Sequence, residues 1–160
     1  MNESNRLRIW CVGNALLGDD AVGCRVAELL SEMGATDVVD CGTAPENYTA
    51  TLRKNPPAEL LIVDAADMGL SPGECRRLSI EELDTAGETS HGVAPSLLFA
   101  PFTDFIAISA LGIQPSDLRL GAPLSDAAVT TRMQTPANTE NTAKMSADNP
   151  GGVPLAGGTK

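Results

Sequence analysis

GNALLGDDAVG, residues 13 to 23, follows directly on the apolar run LRIWCV, residues 7 to 12. The run reads as a first strand from Arg8 to Val12, and the glycine-rich stretch as a turn into a first helix. Strand, tight turn and helix form the opening unit of an open α/β sheet, where ligands bind at the carboxyl ends of the strands. This turn carries two adjacent carboxylates, Asp19 and Asp20. Phosphate binding there needs backbone amides and positive charge, so a pair of acids points to a cation instead.

Strand and helix signals alternate outward from that turn. Val22, Val26, Leu29, Leu30 and Met33 keep helical spacing, and Gly34 is a stop. Asp37 to Asp40 is a short second strand running into CGTAPEN, and Pro45 to Lys54 a weaker helix that ends before Pro56 and Pro57. Leu60 to Val63 is a continuous apolar run, as in a strand buried on both faces of a parallel sheet, and it ends at Asp64. CRRLSI, residues 75 to 80, reads as a partly polar edge strand, followed by a polar stretch to His91 and a short apolar helix around Ser96 to Ala100. Phe105 to Leu111 is the last buried strand, closed by GIQP. The expected fold is α/β: one three-layer domain over residues 1–134, with a mostly parallel, twisted five-stranded sheet flanked by helices. Ser125 to Gln134 reads as a short amphipathic helix, and residues 135–160, rich in Pro, Gly, Asn and Thr, as a disordered tail.

Composition narrows the function. The 160 residues carry a formal charge of −10. That sign argues against nucleic acid and against an anionic membrane surface. No apolar run has the length of a membrane span, and MNESNRLRIW lacks the apolar core of a signal peptide. Aromatics make up 3% of the chain, so Val, Ile, Leu and Ala must build most of the core. Cys11, Cys24, Cys41 and Cys75 show no CxxC spacing and read as reduced, buried thiols of a cytosolic protein.

Asp19 and Asp20 follow strand one, Asp40 ends strand two and Asp64 ends strand three, all at one carboxyl edge. With strand one between the other two, these acids surround one crevice. Like charges gathered there raise each other's pKa unless a cation neutralises them. The single histidine, His91, lies in the loop TSHGVAPS, and an imidazole with two carboxylates is a workable ligand set for a borderline divalent metal. Each residue also has a plainer reading. Asp19 suits a helix N-cap, Asp20 a dipole partner in the first turn, Asp40 and Asp64 turn closure, and His91 an ordinary surface position.

Taken together, GNALLGDDAVG, VVDCGTAPEN, LLIVDAADMGLSPGE, SHGVAP and LGIQP resemble the nickel-iron hydrogenase maturation endopeptidases over roughly residues 8 to 116. APEN and LGIQP are most similar to the branch serving formate-hydrogenlyase-type hydrogenases. The resemblance implies a cytoplasmic, monomeric protease that removes the C-terminal extension of the [NiFe] hydrogenase large-subunit precursor after nickel insertion. It implies Asp20, Asp64 and His91 as the ligands of nickel, a metal carried in by the precursor, with no organic cofactor. Asp20 and Asp40 are then the catalytic carboxylates, Asp40 supporting the site without binding metal, while Asp19 fits the capping role. Two features depart from the family pattern. The last helix fades near Met133, and Pro101 interrupts the helix before strand five.

Two other classes share parts of the pattern. A magnesium-binding, receiver-like signalling domain also uses an acidic pair and a strand-three aspartate. Its pair follows the strand at once, however, whereas Asp19 lies six positions past Gly13, and its last strand ends in Lys-Pro, where Gln114–Pro115 stands here. A nucleotide-binding module would need GxGxxG or a P-loop lysine, and GNALLG supplies neither.

Overall fold

Alternation along the strands sorts their side chains into two cores, one on each face of a single sheet. The computed structural model describes residues 6–87 and 92–130. Strands β1 (Leu7–Val12), β2 (Val38–Gly42), β3 (Glu59–Ala65) and β5 (Ala107–Ile113) run parallel, and β4 (Cys75–Leu78) pairs antiparallel with β5. The order is β2-β1-β3-β5-β4, so β1 lies between β2 and β3 as expected, and β4 forms an edge. Cys11, Leu61, Val63, Ala65 and Ile113 pack under helix α1 (Val22–Glu32). Trp10, Val12, Leu60, Ile62 and Ala110 face the other way. There they meet α2 (Thr49–Lys54), α3 (Ile80–Ala86) and α4 (Pro95–Phe99) through Leu52, Leu83 and Phe99. Helix, sheet and helix give the three layers.

Branched aliphatics build the α1-side core, as the composition requires. The scarce aromatics are concentrated on the other face, where fully buried Trp10 packs against Tyr48 and Phe99 with ring centroids 6.1 and 5.9 Å away. Helix α1 ends as Gly34 predicts. Gly34 adopts φ +86°, a conformation that costs a residue with a Cβ, and its N–H donates to the Ser31 carbonyl. Met33, expected on the buried stripe, is instead 66% exposed at this cap.

Other local differences have identifiable causes. The Pro45–Lys54 helix is split into a 3-10 turn, Pro45–Tyr48, and α2. The polar stretch before His91 contains α3, started by a capping box in which Ser79 and Glu82 each accept the other's backbone N–H. Asp64 lies inside β3, one residue short of its end, and not beyond it. β5 starts at Ala107, which leaves Phe105 54% exposed. Residues 126–130 are helical, and Ala128 joins the α1-side core. The remainder of the expected 125–134 helix and the 135–160 tail lie outside the described residues.

Candidate active site

The turn after β1 enters a 3-10 helix, Gly18–Ala21, that leads straight into α1 and packs against β3. Its path allows no side chain at two points. A Cβ on Gly13 would meet the Asp20 carbonyl oxygen at 2.1 Å. One on Gly18, which has φ +52°, would meet the Asp117 carbonyl oxygen at 2.2 Å. This close packing buries Asp19 and Asp20 almost completely.

The two acids do different work. Asp20 Oδ2 accepts the Asn14 N–H at 3.0 Å, which ties the carboxylate back to the start of its own turn. Asp19 does not cap α1, because neither the 3-10 helix nor α1 has a side-chain cap. Its carboxylate instead accepts from Ser116 N–H (2.8 Å), Asp117 N–H (3.2 Å), Ser125 N–H (2.7 Å) and Ser125 Oγ–H (2.7 Å). Burial alone would raise its pKa. The donors from Ser125, Ser116 and Asp117 outweigh that and hold it below the usual carboxylate range. Asp19 is therefore a latch on the segment after β5, a role with no local sequence signal.

Asp64 lies on the face of β3 opposite α1, at 4% exposure, in the wall of an apolar cleft. Val12, Pro45, Ile62, Leu83 and Phe99 form the buried apolar part of that cleft, while Val93 and Leu98 stand at its mouth. Val93 belongs to the SHGVAP loop, so the chain two residues past His91 reaches the Asp64 cleft. His91 itself lies outside the described residues. Among the described residues no group of three or more His, Cys, Asp or Glu side chains is arranged to hold a metal. Asp20 and Asp64 come to adjacent strands at one sheet edge, β1 and β3, where the chain turns to opposite sides of the order.

Asp40 is placed differently. It pairs in register with Cys11, so its side chain emerges on the α1 face, opposite Asp64, and it is exposed. Its Oδ1 accepts the Gly42 N–H at 3.0 Å. Cys24, whose thiol donates to the Gly13 carbonyl at 3.5 Å, feels the charges of both Asp40 and Asp20. Burial first, then the Asp40 charge and hydrogen bond, push the Cys24 thiol up to about 12. Burial raises Cys41 to about 12 and raises Cys11 and Cys75 as well. All four thiols are free, and each is shifted away from the thiolate that nucleophilic chemistry needs.

LGIQP acquires a structural meaning here. The Gln114 side-chain oxygen accepts from Met68 N–H (2.7 Å) and Leu70 N–H (3.2 Å), and its amide donates to Asp67 (3.1 Å). Gln114 thus fixes the loop after β3, as Asp19 fixes the segment after β5.

An open, mostly parallel sheet with a buried acid in the β1 turn and another near the end of β3 defines the class. Residues 24–130 match the family described as Hydrogenase maturation protease (HycI), and the chain belongs to that family of hydrolases. It is 37% identical over 121 residues to the Hydrogenase 3 maturation protease of Escherichia coli (strain K12), covering 73% of this chain and 78% of that protein. The solution structure of the endopeptidase HycI from Escherichia coli superposes with a TM-score of 0.75 at 31% identity, over 86% of this chain and 91% of that one. The crystal structure of a [NiFe] hydrogenase maturation protease HycI from Thermococcus kodakarensis KOD1 gives 0.73 at 28% identity, over 88% and 93%. This membership removes the receiver-like alternative.

Proposed function

We propose that this chain is the endopeptidase that removes the C-terminal extension of a nickel-loaded [NiFe] hydrogenase large-subunit precursor. Asp20, Asp64 and His91 recognise nickel already held by precursor thiolates, which brings the scissile bond to the cleft. The observation that carries this reading is the burial of Asp20 and Asp64 at the carboxyl edge of neighbouring strands. A carboxylate held away from bulk water attracts a cation more strongly than an exposed one, and a substrate-borne metal is such a cation.

Hydrolysis adds a water oxygen to the amide carbonyl carbon, breaks the C–N bond and returns a proton to the leaving amine. Asp20 is the carboxylate beside the metal that can take the water proton. Asp40, on the far face, acts in support through Cys24 and Gly13 and binds no metal. The metal arrives with the substrate, and the chain needs no organic cofactor of its own. Among the described residues no helix is long and apolar enough to cross a membrane. Four free thiols suit a cytoplasmic monomer acting on a newly made precursor.

The test compares nickel-loaded and nickel-free precursor incubated with the purified protein. Release of the C-terminal peptide from the loaded form only is expected. Equal cleavage of both forms, or of neither, contradicts the proposal.

A further inference from the structure

The peptide group between Gly13 and Asn14 is gripped at both ends. Its oxygen accepts the Cys24 thiol at 3.5 Å, and its N–H, that of Asn14, donates to Asp20 Oδ2 at 3.0 Å. A trans peptide points its C=O and N–H in opposite directions, so this one planar unit faces α1 on one side and the carboxylate on the other. The Gly13 N–H donates to the Gly42 carbonyl at 2.9 Å, which ties the unit to the end of β2. Asn14 then closes the turn that carries Asp20. Its side-chain Oδ1 accepts the Leu16 N–H at 3.0 Å, and its carbonyl accepts the Leu17 N–H at 3.1 Å. The Leu17 carbonyl in turn accepts the Asp20 N–H at 3.0 Å. These bonds form a circuit from Asn14 through Leu17 to Asp20, and the Asp20 carboxylate returns it to Asn14.

We propose that Asn14 is the positioning residue of Asp20: its side chain folds the turn so that its own backbone N–H holds the carboxylate in one orientation. The inference rests on the reading above, in which Asp20 takes the proton of the attacking water. The place requires a short side chain whose acceptor reaches the N–H two residues on, which Asn and Asp provide and Ser provides more weakly. An aspartate here would set a further negative charge beside Asp20 in a turn that already holds Asp19. Asparagine supplies the acceptor without the charge. The bond to Leu16 is exposed, so it contributes little to global stability. Its effect is geometric. With the Leu16 N–H released, residues 14–17 gain freedom and the Asn14 N–H no longer fixes Oδ2. A displacement of about 1 Å at a reacting group can cost about 100-fold in rate, so even partial loosening registers in turnover. Asn14 acts through Asp20 and touches no reacting atom.

The experiment uses the full chain and nickel-loaded precursor, and pairs kcat with amide exchange at Leu16 in wild type, Asn14→Ala and Asn14→Ser. Asn14→Ala should speed exchange at Leu16 and lower kcat about tenfold, with the protein folded. Asn14→Ser, which can still accept the Leu16 N–H, should restore part of both. Ser79→Ala, which removes the cap of α3, is the stability control and should melt lower with wild-type kcat. Wild-type kcat in Asn14→Ala overturns the inference, as does a kcat that fails to follow Leu16 protection across the three residues. An equal loss of kcat in Ser79→Ala overturns it too, since lower stability would then explain the effect. Asp20→Asn, assayed alongside, separates the two levels. If it cleaves like wild type, the reading of Asp20 fails, whereas Leu16 exchange still reports whether Asn14 builds the turn.

Discussion

Asp19 and Ser125, 106 positions apart in sequence, are joined by two hydrogen bonds of 2.7 Å, one from the serine backbone N–H and one from its hydroxyl. With Ser116 and Asp117 donating to the same carboxylate, the acid next to Asp20 holds down the whole segment between β5 and the helical residues 126–130. The neighbouring acids thus have different partners: Asp19 ties down a segment distant in sequence, while Asp20 accepts the Asn14 N–H of its own turn.

Replacing Asp19 should therefore harm stability first. Asp19→Ala removes the acceptor of four part-buried hydrogen bonds to a carboxylate, and a loss of about 3 kcal/mol is expected. Ser125→Ala removes one donor and should cost about 1 kcal/mol. Urea unfolding of the two single variants and the double variant should give a coupling energy above about 0.5 kcal/mol, since the groups touch. Strict additivity would show that the latch is not a unit.

The same carboxylate makes a pH prediction with a definite sign. Folding lowers the pKa of Asp19, so its contribution is complete above the unfolded carboxyl value, about 4, and is lost as pH falls through the lower folded value. Comparing wild type with Asp19→Asn cancels other acids, including half-buried Asp117, which Arg119 holds at about 2. The stability difference should be flat from about pH 7 to 5 and shrink below about pH 4. A difference that grows on acidification would contradict the latch.

Gly13→Ala tests how tightly the turn is built. Its Cβ would lie 2.1 Å from the Asp20 carbonyl oxygen, a backbone atom that cannot rotate away. Overpacking of this kind costs about 1–3 kcal/mol. Because the displaced residue is Asp20, peptide release should also slow, at a temperature where circular dichroism shows the variant still folded. A variant with wild-type melting and wild-type cleavage would mean that the turn has slack.

Gln114→Leu removes the acceptor for Met68 and Leu70 N–H and the donor to Asp67. The loop 67–74 should gain freedom, with faster amide exchange at Met68 and Leu70 and faster proteolysis nearby, while β3 keeps its protection. Unchanged exchange at both amides would contradict this.

The parts legible in the sequence were those whose partners are local or periodic. The apolar runs of β1 and β3, the spacing of α1 and the stop at Gly34 depend on near neighbours, and so did the placement of Asp20 and Asp64 at one sheet edge. Helix α3 carried a usable signal, Ser79 followed by Glu82, but its buried side chains are only Ile80 and Leu83, too few for a visible period. Asp19 looked like a cap because an acid before a helix usually is one. Its real partners lie 97 to 106 positions away, where no spacing rule reaches. Asp40 lies at the expected edge but not at the expected common crevice with Asp64. Its register with Cys11 sends it to the α1 side, and only the paired sheet reveals that.

The most direct test of the central claim is cleavage of nickel-loaded precursor by Asp20→Asn, Asp64→Asn and His91→Ala, each shown folded by circular dichroism. Loss of peptide release by at least about 100-fold in all three is expected, the scale of removing a group that acts on the reacting centre. Wild-type release by any one of them would remove that residue from the site, and wild-type release by all three would contradict the account.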